Sequence, residues 1–161
     1  MLNQFLQYID ATAVSRFVRE NEVAFPWLES AHVLAIAIVI GSIFIVDARL
    51  IGFQSYRRNA SQIMSELLPY TWTAFIVAAV TGLLMFTSDA VRYGESFFFQ
   101  AKLAALALAG LNMLLFHITE FRQIAAWDVS LPPPLRARMA GLLSIAIWTL
   151  VIFLGRWIAF E

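Results

Sequence analysis

Long apolar stretches alternate with short polar ones along the chain. Four apolar stretches lie at about 27–50, 68–88, 97–118 and 139–159, and each approaches the ~20 residues that a helix needs to cross a bilayer core. A backbone in lipid must satisfy its own polar groups, so each stretch is predicted to be a transmembrane α-helix. The pattern therefore predicts an all-α fold in which residues 26–161 form a four-helix transmembrane bundle.

The first 25 residues are too polar to span a bilayer. Apolar residues nevertheless recur there at helical spacing, with Gln, Asp and Arg opposite: Leu2, Phe5, Leu6, Ile9, Ala13 and Phe17. This pattern is typical of an amphipathic helix in the membrane interface, and a helix packed on a partner subunit would show it too. The stretch also lacks the basic start, apolar core and cleavage site of a signal peptide. Residues 1–25 are therefore predicted to form an amphipathic interfacial segment.

The composition agrees with a membrane protein and excludes several functions. Hydrophobic residues make up 61% of the 161 residues, whereas soluble domains are about half apolar. The 11 basic and 11 acidic residues give no net charge, so binding to nucleic acid has no electrostatic basis. The chain has no Cys, which excludes disulfides, thiolate catalysis, iron–sulfur clusters and covalent haem attachment.

The basic residues predict an orientation in the bacterial inner membrane. Six lie at or in the two longer connections, namely Arg49, Arg57, Arg58, Arg122, Arg136 and Arg138, and three lie on the other side, namely Arg16, Arg19 and Arg92. Lys102 and Arg156 lie within spans towards the side of the three, and counting them makes the comparison six against five. The positive-inside rule places the longer connections in the cytoplasm and both termini in the periplasm.

Several ionisable residues are predicted to share an outer layer of the bundle. At 1.5 Å per residue, His32, Lys102 and Arg156 lie ~10 Å to one side of the midplane, and Glu29 shares the helix face of His32. An imidazole and a neutral amine both bind haem iron, and an apolar environment favours the neutral amine. Alternatively, Lys102 extends to water, His32 bonds Glu29 or a backbone carbonyl, and Arg156 anchors at the interface or pairs with Glu29.

The remaining ionisable residues form an inner layer. His117 lies there with Asp47 and Arg49, ~20 Å or more from His32 along the membrane normal, so the two His cannot coordinate one haem within a chain. Residues 29–32 spell Glu-x-x-His, but a di-iron site needs a second such motif, which the chain lacks. The inner residues are interpreted as a structural cluster or, alternatively, as a proton path.

Small residues recur on one face of the second and third predicted spans. On the second span they are Ala74, Ala78, Thr81 and Gly82, followed by Met85. On the third span they are Ala105 and Ala109, which lie between Lys102 and Asn112. Such stripes either make room for a flat macrocycle or let helices pack closely, and close packing is the more general cause.

Two stretches resemble a known superfamily. The first is WLESAHVLAIAIVIGSIFIVDARLIG, with an aromatic residue, a His before an apolar run, a Gly nine residues later and a basic residue at its inner end. The second is FFFQAKLAALALAGLNMLLFH, with a Lys-Leu pair at the outer start of a helix. The combination resembles the superfamily of HemJ-type protoporphyrinogen oxidases and CopD-like copper-resistance proteins. It is most similar to uncharacterised bacterial four-helix membrane proteins that end in GRWIA.

The HemJ resemblance implies b-type haem held by the first-helix His and the Lys of the Lys-Leu pair, here His32 and Lys102. The chain departs from the pattern, because Ala35, Ile36 and Ile38 replace aromatic residues and Asp-Ala-Arg replaces Pro-Arg at the inner end. These departures argue against protoporphyrinogen oxidation, whereas haem binding remains expected. The CopD resemblance implies copper handling, although the sequence offers only scattered thioethers, Met64, Met85 and Met113.

Three functions follow as hypotheses. The first is a cytochrome b-like haem protein that passes electrons between a periplasmic partner and quinone or a partner subunit. In it His32 and Lys102 bind the iron, Arg156 neutralises a propionate and Glu29 orients His32. The second is a non-catalytic subunit of a larger complex, or a homo-oligomer, with lipid and partner contacts through residues 1–25 and 97–99. The third is a CopD-like metal transporter. This function is less favoured, because transporters typically contain broken helices and the four predicted helices have no broken segment.

Overall fold

The computed structural model describes residues 2–53, 59–128 and 133–161. Within these ranges the chain forms eight α-helices, two short 3-10 helices and no strand. The α-helices are α1 (Leu2–Asp10), α2 (Ala13–Glu20), α3 (Ala24–Leu50), α4 (Ala60–Thr87), α5 (Ala90–Glu95), α6 (Phe97–Ile118), α7 (Ile124–Trp127) and α8 (Leu135–Trp157). The 3-10 helices are Phe121–Gln123 and Ile158–Phe160. Arg57 and Arg58, on which the predicted orientation partly rests, lie outside the described residues.

Four helices, α3, α4, α6 and α8, are long and apolar enough to cross a membrane. Their most apolar windows have mean hydropathies between 1.7 and 2.3, and only 11–33% of each window is buried within the protein. Most apolar side chains therefore face outward, as expected where lipid is the solvent. The predicted all-α, four-helix transmembrane bundle is confirmed.

The four spanning helices run alternately up and down. α3 and α6 begin, and α4 and α8 end, at the end of the bundle where α1 and α2 also pack. We call this the terminal end, and the opposite end, where α3 and α6 finish, the loop end.

The second span is longer than its apolar stretch predicts. Helix α4 begins at Ala60 and continues through Pro69, although proline inside a helix removes one backbone hydrogen bond. Tertiary contacts hold the first turns in place, because Ala60 and Met64 are buried. The carboxylate of Asp128 also accepts hydrogen bonds from the backbone N–H and the hydroxyl of Ser61. These contacts extend the helix beyond the region that hydropathy alone defines.

The spanning helices associate as two pairs. Helix α3 packs along α4, α6 packs along α8, and α3 also contacts α8, which joins the pairs. Along their described lengths, the backbones of α4 and α6 come close at few points. Ala105 and Ala109 of α6 are buried against Ile147 and Val151 of α8. The small-residue stripe of α6 therefore serves close helix packing, one of its two predicted uses.

The N-terminal segment forms two helices instead of the single amphipathic helix that the sequence suggested. Thr12 ends the continuity, because its side chain accepts a hydrogen bond from the backbone N–H of Ser15 at 3.2 Å and caps α2. Leu6 is buried, whereas Phe5 and Phe17 are 60% and 61% exposed. Within α1, Leu6 therefore packs inward while Phe5 faces outward, and Phe17 of α2 also faces outward.

The two N-terminal helices dock on the terminal end of the bundle. The Asp10 carboxylate accepts a hydrogen bond from the backbone N–H of Ala90 at 2.7 Å, and Arg19 donates one to the Ser88 carbonyl at 3.4 Å. The Leu6 side chain packs closely on Gly94, where an added Cβ would lie 2.7 Å from its Cδ1. Part of the segment is therefore held by contacts within this chain.

Leu6→Ala is expected to detach α1 from α5. The substitution removes a buried side chain at a cost of about 2–5 kcal/mol, which is large compared with the docking of one short helix. Limited proteolysis followed by mass spectrometry should show faster cleavage after Asp10. Phe5→Ala, at an exposed neighbouring position, is the control, and equal protection in both variants would show that Leu6 does not hold α1.

Candidate functional site

His32 projects from α3 towards α4 and is half-buried near the terminal end. Its Nδ1 lies 2.9 Å from Oγ1 of Thr81. The Thr81 hydroxyl donates its own proton to the Val77 carbonyl at 2.7 Å, so its oxygen accepts from the imidazole. The ring also hydrogen-bonds to the backbone of Ala78. In the Nδ1–H tautomer, Nε2 keeps its lone pair. This is the state in which an imidazole can act as a ligand.

Gly82 provides the space for this ring. A Cβ at position 82 would lie 2.9 Å from Cε1 of His32, closer than such contacts occur in proteins. The imidazole therefore packs directly on the backbone of α4. Thr81 supplies the hydrogen bond and Gly82 the room, and the two adjacent residues together define the position of His32.

Lys102 reaches the same region from α6. It is near enough to His32 to act on it electrostatically. Its aliphatic stem packs on α8, where a Cβ at Gly155 would lie 3.7 Å from Cδ. Its Nζ lies 5.8 Å from the centroid of the Phe99 ring, within the range of a cation–π contact. His32 and Lys102, one from each helix pair, therefore lie within electrostatic range of each other.

Three aromatic rings cover this pair at the terminal end. Phe86 of α4 stacks on Phe99 of α6 with centroids 5.2 Å apart. Tyr93 of α5 lies 6.4 Å from Phe86 and 6.0 Å from Phe99. The rings connect α4, α5 and α6 next to Lys102.

Tyr93 is the titratable member of this aromatic cover. Burial raises the pKa of its phenol, Arg92 opposes the shift, and Asp89 and Glu29 add to it. A tyrosine pKa above its ordinary value of about 10 keeps the hydroxyl protonated at neutral pH. Tyr93 therefore remains a neutral hydrogen-bond donor beside the site.

Glu29 and Arg156 lie at the rim of the site. Both are exposed; Glu29 is close enough to act electrostatically on Tyr93, and the Arg156 guanidinium lies 5.1 Å from the Phe160 ring. The side chain that orients His32 is Thr81, where the sequence suggested Glu29. The sequence did carry a signal for this contact, namely a Thr-Gly pair inside an apolar helix.

The inner-layer residues separate into different contacts. Arg49, which is 2% exposed, donates from Nη2 to the Asp128 carbonyl at 2.9 Å, and Asp128 in turn holds the first turn of α4. His117 donates from Nδ1 to the Met113 carbonyl at 2.9 Å. Arg49 therefore links α3 to Asp128 at the loop end, whereas His117 bonds within its own helix.

A cleft in the loop-end half of the bundle was not foreseen from the sequence. It lies between α4 and α6, has a volume of about 210 Å³ and reaches inward to α3 and α8. Polar residues in its walls include Asp47, Asn112, His117 and Ser144. We call this cavity the α4–α6 cleft. It exists because the backbones of α4 and α6 stay apart. No sequence pattern predicted that separation.

Comparisons with known proteins give one positive result. No curated protein and no solved structure matches the chain. A family model matches residues 4–161, from the first turn of α1 to Glu161. The match includes both helix pairs and the region of His32 and Lys102. The chain thus belongs to a family of unknown function, DUF6644.

Proposed function

We propose that this chain is an integral membrane b-type haem protein in which His32 and Lys102 bind the iron. The proposal depends mainly on one observation: Nδ1 of His32 is hydrogen-bonded to Thr81, and Lys102 lies close enough to act electrostatically on the ring. Ligand histidines are commonly oriented in this way by a hydrogen bond from the other ring nitrogen. The resemblance to HemJ-type proteins points to the same two residues.

The donor groups fit haem better than a non-haem metal site. One imidazole and one amine match the two axial positions of a haem iron. Across the described ranges 2–53, 59–128 and 133–161, no three His, Asp, Glu or Cys side chains come together as ligands. A bound haem supplies one-electron chemistry, since its iron alternates between the ferric and ferrous states.

The electron-transfer role is proposed to link a periplasmic partner with quinone or a partner subunit. The terminal end, which holds His32 and Lys102, would face the periplasm of a bacterial inner membrane. Arg136 and Arg138 at the loop end are consistent with a cytoplasmic position for that end. Arg156, exposed at the terminal end, is available to neutralise a propionate.

The visible spectrum of the detergent-purified protein tests this function. A Soret band, with sharp α and β bands on reduction and about one iron per chain, is expected for a low-spin b-type haem. The protein should be expressed with added haem so that supply is not limiting. A colourless, iron-free sample obtained under these conditions would overturn the proposal.

Thr81→Val is expected to weaken haem retention about tenfold or more. Valine keeps the shape of threonine but cannot accept the Nδ1–H bond, and loss of such supporting bonds commonly costs 10–100-fold in affinity. Transfer of haem to an excess of apomyoglobin measures the change. Thr81→Ser keeps the hydroxyl and serves as the control; equal retention in both variants would show that the hydroxyl does not support the ligand.

A second candidate is an accessory subunit of a larger membrane complex. Large aromatic side chains are exposed at the terminal end: Phe5, Tyr8, Phe17, Trp27 and Phe97 are between 60% and 73% exposed. Such residues anchor a protein at the membrane interface or contact partner subunits, or further copies of the chain in a homo-oligomer. A pigment-free protein that co-purifies with a defined membrane partner in mild detergent would favour this function.

A CopD-like transporter remains the third candidate because of one observation in the α4–α6 cleft. Met64, Met113 and His117 all line it, and thioether and imidazole groups suit Cu(I). Met85 lies towards the other end of α4. Copper retained at about one ion per chain after desalting, and lost on Met113→Leu, would favour this function over the haem protein.

A further inference from the structure

The size and walls of the α4–α6 cleft suit one aromatic ring. Its volume is about 210 Å³, and an apolar cavity of ~150 Å³ is sufficient to hold benzene. Trp72 and Phe75 of α4 and Trp148 of α8 form part of the walls. Flat aromatic faces favour a flat ligand, because rings stack with an offset or meet edge to face.

One buried polar atom in the cleft lacks a partner. Asp47 is 4% exposed, and its Oδ2 makes no hydrogen bond within the described structure. The Ser144 hydroxyl interacts with the same carboxyl group, which leaves Oδ2 available. A buried carboxyl oxygen without a partner is costly, especially inside a membrane. Such an atom indicates that a ligand completes the site.

Two other polar groups of the cleft keep acceptors. His117 donates from Nδ1 to the Met113 carbonyl, so its Nε2 keeps a lone pair. Asn112 donates from Nδ2 to the Ala140 carbonyl at 3.0 Å, which leaves its amide oxygen. Together with Asp47, the cleft therefore offers hydrogen-bond acceptors. A ligand with donors, such as hydroxyl groups, matches these acceptors.

The cleft opens sideways towards the lipid. Trp72 and Phe75 on one lip are 47% and 38% exposed, and Met113 on the other is 43% exposed. A ligand dissolved in the bilayer can enter between α4 and α6 without crossing water. The uppermost residue of the α6 wall, Leu106, lies one turn, ~6 Å, from Lys102. The cleft thus approaches the site proposed for haem.

We propose that the α4–α6 cleft binds the ring of a membrane quinol, with Asp47 accepting a hydrogen bond from a ring hydroxyl. A quinol combines the flat ring, the hydroxyl donors and the lipid tail that the walls, the acceptors and the lateral opening require. Its role in electron transfer rests on the proposed function of the chain. Binding depends only on the cleft and stands without haem.

Binding is tested with a short-chain probe, decyl-ubiquinol, kept reduced and added to the protein in phosphatidylcholine nanodiscs. Quenching of tryptophan fluorescence reports occupancy, since Trp72 and Trp148 line the cleft. We expect saturable quenching, weakened about tenfold or more in Asp47→Asn, as for loss of a hydrogen bond to a charged or strongly polar group. Asp89→Asn makes the same chemical change outside the cleft, at a position where Asn also caps a helix, and should bind as the unsubstituted chain does.

The comparison with a haem-free variant separates this proposal from the proposed function. His32→Ala should bind decyl-ubiquinol with unchanged affinity, because His32 lies outside the cleft. Saturable binding by a chain that never carries haem would support the cleft and overturn the haem function. A haem-bearing chain without saturable quenching, or with equal affinity in Asp47→Asn, would overturn the cleft proposal alone.

Two further probes test the identity of the ligand. Decyl-ubiquinone has the same ring without hydroxyl donors and should bind at least several-fold more weakly. Monoolein carries hydroxyl groups on an aliphatic lipid and should not displace the quinol. Equal affinity for the oxidised probe, or displacement by monoolein at equal concentration, would overturn the assignment to a quinol ring.

Discussion

The His32→Ala variant is expected to purify without a Soret band, although its helical content and elution volume match those of the unsubstituted protein. The substitution removes Nε2, and Lys102 remains as the one proposed ligand. Loss of the ring leaves a small cavity beside Gly82, which changes packing locally but leaves both helix pairs joined. The visible spectrum, iron content and circular dichroism of the same sample measure the effect.

His117→Ala is the matched control for this result. His117 lies at the loop end, where its Nδ1 donates to the Met113 carbonyl, so its removal should leave the spectrum unchanged. Lys102→Leu should retain haem through His32 and lose the sharp low-spin bands. Absence of haem in His117→Ala, with haem retained in His32→Ala, would contradict the assignment of ligands.

Gly141→Leu is expected to give the largest loss of stability. Gly141 is where α8 crosses α3, and even a Cβ there would lie 3.2 Å from the Asp47 carbonyl oxygen and 3.1 Å from Cβ of Leu50. Both contacts are with or near the backbone, so neither can move aside without separating the helices. Overpacking at such a site costs about 1–3 kcal/mol or more. Thermal unfolding in detergent, followed by circular dichroism, should show a clearly lower midpoint.

Gly41→Leu is the control for the crossing. A Cβ at Gly41 meets nothing within 4 Å, and leucine is a better helix former than glycine by about 0.5–1 kcal/mol. This variant should unfold at an unchanged or slightly higher temperature. If both glycine variants lose stability equally, close contact between α3 and α8 at Gly141 is not the cause.

Hydropathy predicted the bounds of one span closely. Helix α6 has the bounds that its apolar stretch predicts, residues 97–118. Helix α4 begins earlier than its apolar stretch and continues through Pro69, because the contact between Ser61 and Asp128 holds its first turns. At the N-terminus the apolar periodicity was real, but the capping hydrogen bond of Thr12 divided it between two helices.

The sequence predicted the two residues of the candidate site but not the side chains that surround them. Counting residues along the helices placed His32 and Lys102 in one layer, and in the structure Lys102 is close enough to act electrostatically on His32. The supporting contacts of Thr81 and Gly82 depend on how α3 and α4 are rotated about their axes. That rotation is set by side-chain packing, which residue spacing along a single helix does not specify.

The sequence by itself determined that this protein is a bundle of four membrane helices, because in lipid every apolar stretch of sufficient length must satisfy its own backbone. Only the tertiary structure decided which helices are neighbours. Lipid tails are as apolar as the helices, so hydrophobicity selects no partner, and close packing at small residues such as Gly82, Ala105 and Gly141 makes the selection. The separation of α4 from α6, and with it the cleft around Asp47, follows from that choice of neighbours.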